Sequence, residues 1–224
     1  HPWMLYKLVN SCPFMVGLCG SYPLYYSVRN KGSEMKVLIV CEESQRVMAE
    51  FLKRGHDAWS CDIKEASGDH PERHIVGDAI DAIYSNVWDL IIAFPPCTYL
   101  SNSGAQLLYP KRQLNFGRFS KGMKAREFFK AIQNAPCDKI VIENPTHSLI
   151  YNLGKESQVI QPFQYGHPYR KRTCLWVKGL PLLQASDVVS DMSKVVSWTE
   201  AKRNPTERSK TFYGVAKAMG EQWG

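Results

Sequence analysis

From residue 36 onward, apolar positions fall into short continuous runs separated by stretches in which they recur every three or four residues. Val37, Leu38, Ile39, Val40 and Cys41 form the first run, so residues 37–41 read as a buried strand. Residues 44–54, closed by Gly55, follow as a helix, and 57–61 as a second strand with Asp62 at its carboxyl end. Residues 74–76 form a short strand running into Gly77-Asp78, and 90–93 are uniformly apolar. The stretch from Cys97 to Gly122 is rich in Gly, Ser, Asn and basic residues, which predicts a long loop that covers or shapes a site. Met123, Ala125, Phe128, Phe129 and Ile132 then recur at helical spacing over 123–133, and residues 140–142 supply another strand. Strand-like runs at 159–160 and 173–177 and a closing helix over 212–223 complete the pattern. Repeated αβ units predict an α/β fold, a mostly parallel sheet with helices on both faces.

Residues 1–34 break this rhythm. They are rich in aromatic residues, Gly, Pro and Ser, lack either periodicity, and precede Met35-Lys36-Val37, which reads as a domain start. Two origins stay open for them: a vector-derived or upstream leader, or an N-terminal arm packed on the domain. Lys7, Asn10 and Pro13 interrupt the apolar stretches too soon for a membrane span, and no signal-peptide order is visible. Residues 35–224 are expected to form a single domain, since 224 residues leave little room for a second core.

The net charge of +7 favours an anionic partner without identifying it. The seven cysteines contain no CxxC pair and no zinc-knuckle spacing, which points to a reducing, cytoplasmic setting. His56, His70 and His74 lack partners for a metal site, and none is expected.

In such folds a nucleoside cofactor lies across the carboxyl ends of the first strands, and an acid ending the second strand can bind ribose hydroxyls. Asp62 occupies that place, and Asp78 is placed to meet an adenine amino group; each also suits a helix cap or solvent. The first turn, Cys41-Glu42-Glu43-Ser44-Gln45, has no GxGxxG, and its paired carboxylates repel a pyrophosphate. A cationic sulfonium cofactor fits better, although Ser44 equally suits an ordinary N-cap with Glu42 and Glu43 exposed.

Phe94-Pro95-Pro96-Cys97 follows one buried run and Glu143-Asn144-Pro145 another, bringing a thiol and a carboxyl group toward one cleft. Carbon 5 of cytosine is a poor nucleophile while the ring is aromatic. A thiolate adding at carbon 6 breaks the aromaticity, and a proton on ring nitrogen 3 stabilises the adduct. That chemistry wants one cysteine beside one protonated carboxyl group.

With these motifs the chain resembles the DNA cytosine-5 methyltransferase family, in particular its compact phage and prophage members, from about Met35 to Gly224. The resemblance implies a Rossmann-like methyltransferase fold, S-adenosylmethionine as methyl donor, Cys97 as the nucleophile toward carbon 6 and Glu143 as the group on nitrogen 3. Gly166-His167-Pro168-Tyr169-Arg170-Lys171-Arg172 resembles the basic motif that organises the target base, and Tyr213-Gly214-Val215-Ala216 the segment completing the cofactor pocket. It further implies cofactor contacts from Cys41, Glu42, Ser44, Asp62, Ile63, Asp78, Ala79, Pro95, Tyr213, Gly214 and Val215. Pro96, Asn144, Arg118, Lys171 and Arg170 would contact substrate. The first turn departs from the family's glycine-rich pattern. Tyr169 stands where glutamine is usual, and Thr173 where a final arginine falls, so Arg172 is expected to act in its stead as a catalytic residue.

The region 177–208 is short for a target-recognition domain and reads as a reduced one, or as an insert. Lys111, Arg112, Arg118, Lys121 and Lys124, with Lys202, Arg203, Arg208 and Lys210, suit a phosphate grip on duplex or single-stranded DNA, or a solvated surface. The rival readings are the same chemistry on free deoxycytidine nucleotide or RNA, and a non-catalytic nucleic-acid-binding protein. An amino-directed enzyme is disfavoured because Phe94 and Cys97 flank the two prolines.

Overall fold

Apolar runs too short to bury themselves become the middle of a seven-stranded sheet in the computed structural model, which describes residues 34–201 and 208–224. The expected leader or arm lies, but for Glu34, outside the described residues, as do Cys12, Cys19, Lys202 and Arg203. The strands of this sheet are β1 (Lys36–Val40), β2 (Asp57–Asp62), β3 (His74–Val76), β4 (Leu90–Ala93), β5 (Ile140–Pro145), β6 (Gln158–Ile160) and β8 (Thr173–Lys178). They lie in the order β3-β2-β1-β4-β5-β8-β6. Strands β1 to β5 are parallel, while β8 runs antiparallel to both β5 and β6. Two-residue strands β7 (Tyr169–Arg170) and β9 (Val196–Ser197) pair separately.

Helices with described bounds are α1 (Arg46–Leu52), α2 (Ala79–Tyr84), α3 (Ala105–Leu108), α4 (Phe116–Gln133), α5 (Trp198–Ala201) and α6 (Tyr213–Trp223). One sheet face packs on α1 and α6 through Val47, Met48, Phe51, Val215, Ala216 and Met219. The other packs on α2 and α4 through Ala79, Ala82, Ile83, Phe129 and Ile132. Neighbouring strand residues point to opposite faces, so Leu38 and Val40 enter one cluster while Val37 and Ile39 enter the other. Burying each such aliphatic side chain contributes about 1.5–3 kcal/mol. The fold is the expected Rossmann-like α/β arrangement.

Several elements depart from the sequence reading, which contained neither the short helices α3 and α5 nor strands β7 and β9. Helix α2 was not foreseen, and α4 starts at Phe116 rather than Met123, so Arg118 and Lys121 sit on a helix instead of a loop. Asn115 caps α4 by accepting from the Arg118 backbone N–H at 3.0 Å. Gly122 allows the helix to continue because a Cβ there would run into the buried ring of Tyr151. Within the 177–208 region, Leu183, Val195 and Trp198 are buried in the α1/α6 face of the core.

Candidate active site

Strand order reverses between β1 and β4, which opens a crevice beyond their carboxyl ends. The first turn enters it in an uncommon conformation: Cys41 and Gln45 have φ of 60° and 57° without being glycine. This turns Glu42 inward. Its carboxylate is 4% exposed and accepts from the backbone N–H groups of Val47 (2.7 Å) and Met48 (3.2 Å), capping α1. Two expectations are thereby corrected. Ser44 is not the N-cap, since Gln45 occupies that position without a side-chain bond, and Glu42 is buried against α1 and not exposed. Burial, chiefly, pushes the Glu42 pKa up to about 7. Gln45 meanwhile ties down the loop after β2, donating to the Ser60 hydroxyl and the His70 carbonyl and accepting from the His70 N–H.

Asp62 ends β2, where it accepts from the Lys64 N–H at 3.0 Å beside Ile63, whose side chain is 78% exposed. Asp78 is exposed and caps α2 through Ile80, while Ala79 is buried behind it. The crevice is electronegative: after burial, Asp62 leads the charges that push the Cys41 thiol up to about 12, followed by the Cys61 thiol and Asp78. A cation fits such a place better than a pyrophosphate.

On the other side of the switch, β4 and β5 run in parallel register, Ala93 opposite Ile142, so the segments holding Cys97 and Glu143 leave adjacent strands. Asn144 is fully buried and donates to the Pro95 carbonyl at 3.0 Å, joining the two motifs. Three further links stitch the following loops together: Asn102 N–H to the Thr146 carbonyl, Ser148 N–H to the Leu100 carbonyl, and a bridge between Ser101 and His147. Pro95 is buried and Pro96 exposed at the rim. Burial raises the pKa of Cys97, Glu143 raises it further and Lys171 lowers it. Glu143 is likewise raised by burial and lowered by Lys171. Thiol, carboxyl and ammonium groups therefore share one electrostatic site.

Arg172, expected to be catalytic, is engaged by protein groups, and its neighbour Lys171, expected to contact substrate, is the cation whose charge reaches the site. The Arg172 guanidinium is committed to the Thr146 hydroxyl (3.0 Å) and the Glu156 carboxylate (3.1 Å), and Lys171 is the cation that acts on Cys97 and Glu143. The antiparallel β5–β8 register, Pro145 opposite Thr173, brings this basic segment beside Glu143. Lys171 is held by its own N–H on the Gln161 side chain and by its ammonium on the Arg208 carbonyl. Arg170 lies exposed in β7, opposite Ser197.

A small pocket under this site is lined by Phe94, Glu143, Lys171, Thr173, Phe212 and Val215. Val215 is buried in it, and Tyr213 is 64% exposed with the Arg46 guanidinium stacked 4.3 Å from its ring centroid. Gly214 is required by close approach, since a Cβ would collide with the Tyr165 carbonyl; its N–H donates to His167 Nε2 at 2.9 Å. Sequence reasoning missed Arg46, Gln161 and Thr146, none of which belongs to a motif it used, and gave no role to Gln45, the last residue of the first turn. Phe94 and Phe212, as pocket walls, were legible as apolar residues ending one element and starting another.

Arg118 is also placed differently from the expectation of a substrate contact. Its guanidinium donates to the Thr98 carbonyl at 2.8 Å, just after Cys97. Residues 90–126 nevertheless contain no acidic residue and six basic ones, of which Lys111, Arg112, Lys121 and Lys124 are exposed. Among the described residues no cluster of His, Cys, Asp and Glu forms a metal-ligand set. No helix among them is long and apolar enough to cross a membrane.

No family model matches this chain, and no curated protein does. Solved structures do match it. One is described as a DNA modification methyltransferase encoded within a prophage (E. coli), at 13% identity and a TM-score of 0.41 over 70% of this chain. The chain spans about half of that protein, 52% of its length. A likeness of that degree leaves function to be argued from the site.

Proposed function

We propose that the protein transfers a methyl group to carbon 5 of cytosine in DNA through a transient bond from the Cys97 sulfur to carbon 6. The reading is carried by the convergence of Cys97, Glu143 and Lys171 at the carboxyl ends of β4 and β5, joined by the Asn144–Pro95 bond. Burial favours a protonated Glu143, which lets its carboxyl group give a hydrogen to ring nitrogen 3 as the thiolate adds. Lys171 favours both the thiolate and the negative charge that Glu143 acquires. The pocket that Glu143 and Lys171 line also carries Phe94 and Phe212, apolar rings of the kind on which a base taken out of its stack packs.

The crevice at the ends of β1 and β2 supports the cofactor. Asp62 suits the ribose hydroxyls, the exposed Ile63 an adenine face and Asp78 an adenine amino group, while the negative field favours a sulfonium cation. S-adenosylmethionine bound there supplies an electrophilic methyl group to the activated carbon 5. Loss of the carbon 5 proton to water, return of the nitrogen 3 proton to Glu143 and expulsion of the Cys97 thiolate would then restore the aromatic ring, with S-adenosylhomocysteine as the other product.

The acid-free segment 90–126, with exposed Lys111, Arg112, Lys121 and Lys124, favours a polymer over a free nucleotide. The deciding experiment offers labelled S-adenosylmethionine with duplex DNA, single-stranded DNA, RNA and deoxycytidine nucleotide, using wild type and Cys97→Ser. Cysteine-dependent label on DNA is expected. Label only on RNA or nucleotide would replace the substrate, and no label on any of the four would leave a binding protein.

A further inference from the structure

We propose that Arg118 is a positioning residue for the nucleophile: helix α4 clamps the Cys97 turn through its guanidinium instead of presenting that charge to a phosphate. The inference rests on Cys97 being the reacting group. The turn is anchored on two sides. Toward β5, the links from Leu100 and Asn102 fix its far end to the Glu143 segment. Toward α4, Arg118 Nη2 donates to the Thr98 carbonyl, one residue past Cys97, at 2.8 Å. The guanidinium also lies 5.2 Å from the Tyr99 ring centroid, and Lys121, one helical turn later, lies 5.7 Å from the same ring. Tyr99 is thus held by two cations from one helix face. Within the turn, the Cys97 carbonyl accepts from the N–H groups of Leu100 and Ser101, so a shift of Thr98 carries Cys97 with it.

Gly104 makes this reach possible. A Cβ at that position would overlap Arg118 Nη2 and approach the Thr98 carbonyl oxygen at 3.4 Å. Its φ of −89° is open to alanine, so the glycine answers to the space the guanidinium needs and not to backbone conformation. Arg118 can be displaced in two independent ways, by removing its head group or by filling its space. A phosphate contact would be lost through the first change, and the second would leave its charge in place.

The test compares wild type, Arg118→Met and Gly104→Ala. Three readouts are used: steady-state methyl transfer to duplex DNA, the salt dependence of DNA binding, and the rate of Cys97 alkylation by iodoacetamide, located by peptide mass. Loss of the clamp is expected to lower kcat by roughly 10–100-fold, the scale on which small misplacements of a reacting atom act. KM for DNA and the slope of log affinity against log salt should be unchanged. Alkylation of Cys97 should quicken several-fold in both variants as the turn loosens, and the double variant should be no worse than either single one. The clamp is refuted if Arg118→Met leaves kcat and alkylation as in wild type and reduces the salt slope by about 1, the signature of a lost phosphate contact. It is refuted equally if Gly104→Ala has no effect on either. Absence of methyl transfer by wild type would overturn the proposed reaction alone, since the alkylation rates still decide the clamp.

Discussion

Replacing Glu42 by glutamine should remove a loss of stability that sets in as pH rises. Glu42 is nearly inaccessible, and its two oxygens receive two N–H groups at the start of α1. The groups that act on its charge are Glu43, which opposes ionisation, and Arg46, which favours it. Burial outweighs both these and the two N–H donors, raising the pKa from 4.5 to about 7. A folded-state pKa above the unfolded one gives stability that is fully present below about 4.5 and is lost as pH rises through about 7. At about 1.4 kcal/mol per pH unit, the whole interval amounts to ~3 kcal/mol. Urea melts of wild type and Glu42→Gln at half-unit steps from pH 4.5 to 8 isolate this group, because every other titration cancels in the difference. Glutamine has one oxygen for the two N–H groups, a cost that does not vary with pH, so the variant should gain ~3 kcal/mol on wild type between pH 4.5 and pH 8. A flat difference, or wild type gaining on the variant as pH rises, would refute the reasoning. It would mean that the N–H groups of Val47 and Met48 hold the carboxylate ionised despite its burial.

Glu143→Gln should abolish transfer yet speed Cys97 alkylation at pH 8, since Glu143 raises the thiol pKa; Lys171→Met should slow alkylation, since Lys171 lowers it. Both rates follow from the mass of the Cys97 peptide. Arg172→Met should cost no more than about 1 kcal/mol of stability, the scale of a partly exposed ion pair, and reduce kcat far less than Lys171→Met does. Gly214→Ala should lower the melting temperature and weaken S-adenosylmethionine binding together, measured by calorimetry with and without cofactor, because the added methyl group meets the Tyr165 carbonyl.

The sheet was legible where runs such as Leu90–Ala93 are apolar throughout, because strands covered on both faces need no alternation. Helix α2 escaped notice because six residues with three buried positions are too few to display a period. The early start of α4 was signalled by Asn115 and by Phe116, Phe119 and Met123 at helical spacing, but Gly117, Gly122 and the basic residues between them read as a loop. Cys97 and Glu143 could be found from short motifs, since each immediately follows or ends a readable strand. That Lys171 and not Arg172 acts on Glu143 could not: which of two adjacent cations faces the carboxyl group depends on the orientation and register of β8 against β5. The cap of α1 was hidden for a different reason. It is supplied from Glu42, ahead of the cap position, through a left-handed Cys41 and Gln45 that residue type does not announce.

The crevice is walled by partners far apart along the chain, with consequences for the order of folding. Helices α1 and α6 lie side by side and parallel, Arg46 meeting Tyr213 at one end and Arg54 meeting Glu221 at the other. The Arg46 side chain bonds the Thr211 carbonyl, 165 positions away. During synthesis the first strands emerge on the order of ten seconds or more before the segment that will cover them. Until then the face carrying Val47, Met48 and Phe51 is open to water. A nascent chain stalled before α6 would present that face to chaperones, and ligand capture would serve as a late reporter that α6 has docked.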